Sequence, residues 1–401
     1  MQVSTTDILI KGLYMKTVMT IKDTCEFYNG TGFPMVYQGK TAGKYPFYKV
    51  GDISKNVQLG NCYLKECDNY IDDEILNQLR GVLVPANSIA FAKIGEALKL
   101  NRRTITSTPC LVDNNVIAIH PNEEILDVEY FYYFMKTVNM ADYSSSTTVP
   151  SVKKSSLEKI GVPTPELNEQ KRISNELNTL SFAIQSKKDE LSSLDELVKS
   201  RFIEMFGDID LSPQKSEWTK LSDLGTIYTG TTPSTGDETN WDGSILWITP
   251  AEMNDESFFI DNTIRKITEK GMKSKSLSLM PVGTVLLSTR APIGKVGIVA
   301  KPMTCNQGFK NFYSPDKLNS IFLYVVLKNN TQYLNAIGTG TTFKEISKTT
   351  CGNIRVPVPP IELQNEFAKF VKLIDKSKFI VQQQIKDLQE LLDSKMDEYF
   401  R

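Results

Sequence analysis

The sequence has few of the residues from which enzyme active sites and structural metal sites are usually built. It contains one histidine, His120, and its six cysteines form no CxxC pair. Structural zinc sites are made of closely spaced Cys and His, so no metal site is expected. Cysteines without a framework of spacings are typical of reduced thiols, which favours a cytoplasmic protein. His120 follows a predicted strand, and we do not expect it to be catalytic.

Membrane and nucleotide-binding signals are also missing. No apolar run approaches the roughly 18 residues of a membrane helix, and the first 16 residues do not resemble a signal peptide. There is no GxxxxGK[ST] loop, and no GxGxxG follows a strand. "PVPPIEL" (357–363) has the prolines of an adenine methyltransferase loop but lacks its acid or amide and its aromatic residue. The chain is therefore predicted to read or organise rather than to catalyse, with no cofactor of its own.

The chain is instead two copies of one unit. "IGVPTPELNEQ" (160–170) matches "IRVPVPPIELQ" (354–364) at an offset of 194, and the match continues through the following helix. Near the start of each copy, "DTCEFYNGTGFP" (23–34) matches "DLGTIYTGTTPS" (223–234) at an offset of 200. This period is far longer than a solenoid repeat of about 20–50 residues. The pattern therefore indicates a duplicated domain and a pseudo-two-fold, cyclic arrangement.

A long helix with a heptad pattern follows each proline-rich loop. Apolar residues recur at alternating steps of four and three, with Lys187, Arg201, Lys378 and Lys395 in register. The predicted seam comprises Ile173, Leu177, Leu180, Ile184, Leu191, Leu194, Val198 and Met205 in the first helix, and Phe367, Val371, Ile374, Val381, Ile385, Leu388, Leu392 and Tyr399 in the second. Since each apolar stripe needs a partner and the other copy carries the same pattern, the two helices are predicted to pair with each other as a coiled coil.

The rest of each copy alternates short β-rich stretches with Gly, Pro, Thr and Asn turns and one predicted helix, at 128–138 and 319–329. We interpret each as an α/β (α+β) globular domain. The predicted order is a first globular domain at 1–164, a long helix at 165–206, a second globular domain at 207–360 and a second long helix at 361–401.

A formal net charge of −1 conceals a basic segment. Residues 264–310 contain nine Lys and Arg against Glu269 alone, and residues 93–103 contain a smaller basic cluster. Positive charge concentrated on part of a neutral chain is typical of a surface that binds a polyanion.

Five motifs in this order resemble those of a known family. They are "YTGTTPST" (228–235), "WITPAEM" (247–253), "GTVLLSTRAPIGKVGIV" (283–299), "CNQGFKNF" (305–312) and "VPVPPIELQNEF" (356–367), which leads into the heptad helix. Together with the duplication, they resemble the specificity (S) subunit of type I restriction–modification systems over nearly the whole chain.

The resemblance implies a non-catalytic DNA-binding subunit. Two target-recognition domains would each read one half of a gapped, bipartite DNA site. The two long helices would pack antiparallel, set the spacing and dock the modification subunits. The partners would be modification subunits, expected as two copies, and restriction subunits. They would bring S-adenosylmethionine, ATP and Mg, and with them adenine-N6 methylation and ATP-dependent DNA cleavage.

Base edges are read by Arg, Lys, Asn, Gln and small polar side chains, and phosphates are held by Lys, Ser and Thr. The predicted DNA-binding residues of the first domain are Thr31, Lys93, Arg102, Arg103, Lys153 and Lys154. Those of the second are Thr231, Thr232, Ser234, Thr235, Arg290, Lys295, Asn306, Gln307, Lys310 and Lys344.

Three other hypotheses stay open at this point. The chain could be a coiled-coil scaffold whose domains bind protein, an enzyme with an unrecognised site, or an orphan or phase-variable reader without restriction subunits. A further expectation concerns residues 1–16, which align with the linker 207–218. They are expected to lie near the end of the second long helix and to have the role there that the linker has after the first long helix.

Overall fold

The computed structural model describes residues 17–65, 67–144, 149–253, 258–340 and 344–401. Residue contacts divide the chain into two units, each combining one α/β portion with parts of two 40-residue helices. Unit 1 takes the described residues up to Asp189 together with Gln382–Arg401, and unit 2 takes Glu190–Val381. The predicted division into four consecutive segments remains a prediction. The expectation for residues 1–16 lies outside the described residues.

Unit 1 contains nine strands and seven helices among its described residues. The strands are β1 Val18–Thr20, β2 Cys25–Asn29, β3 Tyr45–Tyr48, β4 Tyr70–Ile71, β5 Ile89–Ala92, β6 Arg103–Ile105, β7 Leu111–Val112, β8 Val116–Pro121 and β9 Gly161–Pro163. The helices are α1 Ile21–Thr24, α2 Val50–Gln58, α3 Asp73–Leu79, α4 Glu96–Lys99, α5 Val128–Thr137, α6 Lys154–Leu157 and α7 Leu167–Phe206, which continues into unit 2.

Two small sheets organise unit 1. One has the strand order β2-β8-β5-β6 and the other the order β4-β3-β7. All neighbours are antiparallel except β3 and β7, which run parallel. The predicted helix at 128–138 is α5, which Asp127 caps by accepting a hydrogen bond from the Tyr130 backbone amide. Its apolar side packs in the same core as the four-stranded sheet and the end of the second long helix.

Among its described residues, unit 2 repeats this plan with ten strands and five helices of its own, after the end of α7. The strands are β10 Thr219–Lys220, β11 Thr226–Thr229, β12 Trp241–Ile248, β13 Phe259–Ile260, β14 Arg265–Ile267, β15 Val285–Leu287, β16 Val296–Val299, β17 Met303–Cys305, β18 Lys310–Tyr313 and β19 Arg355–Val356. The helices are α8 Leu221–Leu224, α9 Glu269–Ser274, α10 Ser320–Asn329, α11 Thr331–Ile337 and α12 Lys348–Asn353, followed by α13 Ile361–Phe400, which continues into unit 1.

The sheets of unit 2 have the same strand order as those of unit 1, except that one sheet has an additional edge strand. Strands β11-β18-β15-β16 correspond to β2-β8-β5-β6 with β13 added at the edge, and β14-β12-β17 corresponds to β4-β3-β7. The parallel pair β12–β17 reproduces the parallel pair β3–β7. The predicted helix at 319–329 is α10, capped by Asn319. The duplicated α/β architecture expected from the sequence is therefore confirmed.

Each unit brings its entry and exit strands together. In unit 1, β1 pairs antiparallel with β9, and in unit 2, β10 pairs antiparallel with β19. The proline-rich loop then leads directly into a long helix, because proline fixes its own φ and disfavours helix in the preceding residue. α7 ends at Phe206, after which Gly207 adopts a φ of 77° and donates to the Ile203 carbonyl. This is a common helix stop, since glycine enters the left-handed region without a Cβ clash.

The predicted seam residues face inward on both long helices, where all sixteen are buried or half-buried. In unit 2, Arg201 pairs with Glu366 at 3.1 Å and Lys378 with Asp195 at 2.6 Å. As the number falls along one helix it rises along the other, so the helix segments in this unit run antiparallel. In unit 1, Lys395 lies 3.4 Å from Glu176. Arg201, Lys378 and Lys395 therefore pair across the helices instead of interrupting the seam.

A buried glutamine joins each long helix to its α/β portion. The side-chain oxygen of Gln170 accepts from the Asp127 amide at 2.9 Å, and its nitrogen donates to the carbonyls of Ile125 and Pro165. Gln364 makes the same three bonds, from the Asn319 amide and to the carbonyls of Lys317 and Pro359. Both side chains are fully buried. Each one locks the start of a long helix against the cap of α5 or α10.

Candidate nucleic-acid interface

Four loops of unit 2 meet around the turn that connects β17 to β18. They are loop A (230–236), loop B (306–309), loop C (288–295) and loop D (338–347), of which 341–343 are not described. Thr232 Oγ1 in loop A donates to Gln307 Oε1 in loop B at 2.8 Å. The Thr289 amide in loop C donates to the Gly308 carbonyl at 2.7 Å. The loops thus form one continuous polar surface.

Two tryptophans fix the shape of loop A. Trp241 Nε1 donates to the Ser234 carbonyl and Trp247 Nε1 to the Thr231 carbonyl, both at 3.1 Å. A Cβ at Gly230 would lie 1.8 Å from the Cys305 carbonyl oxygen, so only glycine permits this approach to β17. The threonines and serine of the "YTGTTPST" motif are therefore presented by a held loop, with Ser234 and Thr235 exposed and Thr231 half-buried.

Unit 1 assembles equivalent loops with different side chains. A Cβ at Gly30 would lie 1.7 Å from the Asp113 carbonyl oxygen, and the Thr31 amide donates to the Val112 carbonyl at 2.8 Å. The Lys93 amide donates to the Asn115 carbonyl, and the Lys93 carbonyl accepts from the Val152 amide. Loops A to D of unit 1 are therefore 30–38, 113–115, 93–95 and 150–153, by correspondence with unit 2.

The structure brings most of the predicted DNA-binding residues to these loops. In unit 1 they include Thr31, Lys93 and Lys153, while Lys154 begins α6 and Arg102 immediately precedes β6. In unit 2 all ten lie in loops A to D or, for Lys310, on the first residue of β18. The exposed members are Lys153, Lys154, Ser234, Thr235, Arg290, Gln307 and Lys344. Their side chains are accessible to a ligand.

Three of the predicted basic residues have their charged groups bound to other groups of the protein. Arg103 is only 2% exposed, and its guanidinium donates to the carbonyls of Asn101 and Val138. Burial lowers its pKa to about 10. Lys295 Nζ donates to the carbonyls of Pro250 and Met253. In this structure, the charged groups of Arg103 and Lys295 therefore hold neighbouring segments of the chain in place.

Lys310 is the third, and it belongs to an ion-pair group that joins loops C and D. Its Nζ lies 3.4 Å from Glu345 Oε1, and Arg290 Nη2 lies 3.0 Å from Glu345 Oε2. The hydrogen bond from Arg290, followed by the charge of Lys310, holds the pKa of Glu345 below its ordinary value. The contribution of this group to stability is therefore present above the ordinary Glu range and is lost as pH falls through the lowered pKa.

Sequence reasoning missed the polar residues of loop B in unit 1. Asp113, Asn114 and Asn115 correspond to Asn306, Gln307 and Gly308, because β7 and β17 pair in the same register with β3 and β12. Asn114 is exposed, as Gln307 is. The available signal was "VDNN" (112–115), which follows a strand as "CNQG" (305–308) does. Aligning these two stretches requires an offset of 193, whereas the matches found in the sequence have offsets of 194 and 200.

Among the described residues, no group of His, Cys, Asp and Glu is arranged to hold a metal ion. All six cysteines are free, and burial raises the pKa of Cys110, Cys305 and Cys351 to about 12, so these thiols are protonated at neutral pH. His120 Nδ1 lies 3.3 Å from Ser88 Oγ on a half-buried strand position. No helix in the described part of the chain is long and apolar enough to span a membrane.

Comparison with known proteins agrees with this arrangement. The "Type I restriction modification DNA specificity domain" family matches twice, at residues 15–196 and 213–390. The MjaIX specificity subunit of Methanocaldococcus jannaschii is 39% identical over 184 residues, which is 45% of this chain and 43% of that protein. The EcoR124I/EcoR124II specificity subunit of Escherichia coli is 26% identical over 271 residues, 65% of each chain. The chain therefore matches between about two fifths and two thirds of these relatives' lengths.

Solved structures share the fold. The S subunit of a type I restriction–modification system from M. genitalium gives a TM-score of 0.58 at 14% identity, over 96% of each chain. A chain from a structural study of type I R-M complex assembly gives 0.56 at 16% identity, over 96% of this chain and 97% of that one. Because two copies of the family domain cover most of its residues, this chain belongs to the family of type I restriction–modification DNA specificity proteins.

Proposed function

We propose that this chain is the DNA specificity subunit of a type I restriction–modification complex. Each unit reads one half of a bipartite, gapped site through its loops A to D, and the chain itself catalyses nothing. The observation that carries the proposal is the repeated convergence of exposed amides, hydroxyls and basic side chains on one loop surface in each unit. Such groups read base edges and hold phosphates.

The partners follow from the same proposal. Two modification subunits dock on the chain and supply S-adenosylmethionine chemistry, and restriction subunits supply the ATP- and Mg-dependent translocation and cleavage. The complex acts on double-stranded DNA in the cytoplasm. The family match and the named relatives support this assignment over a scaffold that binds only protein.

Mapping of adenine methylation in the source genome tests the proposal directly. With the gene present, we expect a methylated motif of two short half-sites separated by unspecified bases, and we expect it to vanish on deletion. Reintroducing the gene on a plasmid should restore the motif. A methylome that is the same with and without the gene would contradict the proposal in a strain that expresses the modification subunits.

Substitution of exposed loop lysines is expected to weaken DNA binding in a salt-dependent way. Lys153→Ala and Lys344→Ala each remove one charge from a loop D surface, so the slope of log affinity against log salt should fall by about 0.9 for each lost phosphate contact. Fluorescence anisotropy of the complex with labelled DNA at several salt concentrations measures this slope. Lys301→Ala is the control, because Lys301 follows the opposite end of β16 and pairs with Asp261. Unchanged slopes in both loop variants would exclude phosphate contacts there.

The long helices are proposed to set the gap between the half-sites. Insertion of one heptad into each helix, next to the Asp195–Lys378 pair, keeps the seam in register and adds about 10 Å of helix. The methylated motif should gain about three unread base pairs, at roughly 3.4 Å each, and keep both half-sites. Insertion into one helix alone should instead break the seam. A motif with an unchanged gap in the double insertion would overturn this role.

A further inference from the structure

Loop A of unit 1 carries an exposed apolar tip. Met35 and Val36 lie in the 3-10 turn Met35–Tyr37 and are 87% and 80% exposed. Single exposed apolar residues are ordinary on protein surfaces, but two adjacent large ones at a loop tip favour a contact with another molecule. At the offset of 200, the corresponding residues of unit 2 are Thr235 and Gly236, so no large apolar side chain stands there.

The base of this tip is held firmly. The Phe33 ring stacks on Phe47 with centroids 3.8 Å apart, and Gln38 Nε2 donates to the Phe33 carbonyl at 2.8 Å. On the other side of the turn, the Tyr37 hydroxyl donates to Gln78 Oε1 at 2.7 Å. Met35 and Val36 are therefore displayed on a pre-organised turn, which lowers the entropy cost of binding through them.

The basic side chains near the tip are already engaged. Lys44 Nζ lies 2.7 Å from Asp73 Oδ2, and Lys49 Nζ donates to Gln38 Oε1 at 2.6 Å. The tip consequently offers apolar contact more than phosphate neutralisation. It is continuous with the candidate interface, because Thr31 of the same loop lies beside loop B through its bond to Val112.

We propose that Met35 and Val36 contact the methyl group of a thymine in the major groove of the half-site that unit 1 reads. The inference rests on the proposed function of the chain. Among the base edges in the major groove, the thymine C5-methyl is the apolar group, and apolar side chains are its natural partners. Unit 1 then reads part of its half-site by apolar contact, whereas loop A of unit 2 uses hydroxyls.

The test uses the complex of the chain with its modification subunits and a duplex carrying the methylated motif. Each thymine of the unit 1 half-site is replaced in turn by deoxyuridine, which removes only the methyl group. At one position we expect affinity to fall about fourfold, as for one buried methyl group. In the Met35→Ser/Val36→Ser variant the same replacement should have no effect. Leu59→Ser is the matched control, since Leu59 is also a large apolar residue and is 56% exposed. It lies outside loop A, because its neighbour Gly60 approaches Gln185 on α7.

Two results would overturn the inference while leaving the proposed function intact. One is a wild-type complex that directs a bipartite motif but tolerates deoxyuridine at every thymine, or whose half-site contains none. The other is a double variant that keeps its sensitivity to deoxyuridine but co-purifies with less modification subunit, which would assign the tip to a protein contact. Absence of any bipartite motif would remove the proposed function and this inference together.

Discussion

Gln364→Ala is expected to lower the free energy of unfolding of unit 2 by about 3–5 kcal/mol. The substitution leaves the Asn319 amide and the carbonyls of Lys317 and Pro359 without their partner in a fully buried site. Each buried polar group that loses its hydrogen bond costs about 1–3 kcal/mol. The missing amide also leaves a cavity at the junction of α13 with α10. This is a large fraction of the stability of an ordinary domain.

Gln170→Ala should produce the same loss in unit 1, because its three bonds are the same. Hydrogen exchange followed by mass spectrometry separates the two cases, since each variant should lose protection in its own unit. Gln389→Ala is the control. Gln389 is exposed on α13 and bonds only Asp393 among the contacts described. A loss below about 1 kcal/mol in both buried variants would show that water or a shifted side chain replaces the amide.

Under the proposed function, Gln307→Ala is expected to relax the specificity of the half-site assigned to unit 2. An amide that donates and accepts toward adenine contributes about 1–3 kcal/mol of discrimination at one base pair, so the preference there should fall by about five- to 150-fold. Gln307 is exposed in loop B, and its Oε1 is oriented by the Thr232 hydroxyl. Thr232→Val should therefore weaken the same preference to a smaller degree.

Asn114→Ala provides the reciprocal variant, because Asn114 occupies the corresponding loop position in unit 1. Methylation mapping with each variant is the measurement. We expect one degenerate position in one half-site for Gln307→Ala and one in the other half-site for Asn114→Ala. If both variants changed the same half-site, the assignment of one half-site to each unit would be wrong.

The sequence predicted the scaffold of this protein better than its binding surface. Heptad spacing, paired proline-rich loops and matched glutamines are local or repeated signals, and Gln170 and Gln364 already aligned at an offset of 194. Helices α5 and α10 were likewise predicted, as matching stretches at 128–138 and 319–329. Because the domain is duplicated, each such signal occurs twice in the sequence, and the pattern in one copy supports the same pattern in the other.

The binding surface was harder because charge says nothing about where a side chain points. Arg103 and Arg102 are neighbours in a basic cluster, yet Arg103 lies inside the domain and binds backbone carbonyls. Conversely, Asn114 carries no charge and stood outside the basic segments, although its loop position matches that of Gln307. Only the pairing of β7 with β3 and of β17 with β12 reveals that match.

Unit 1 is made of two stretches that are far apart in the sequence, and this determines the order in which the chain can complete its folding during translation. Unit 2 is one continuous stretch, Glu190–Val381, whereas unit 1 also requires Gln382–Arg401. Leu392, Met396 and Phe400 from that stretch lie in the same core as α5. The first 189 residues leave the ribosome early but keep apolar surface exposed until residues 382–401 follow. The unit made first is therefore finished last, and this nascent chain has a longer need for chaperone protection than an N-terminal domain that folds on its own.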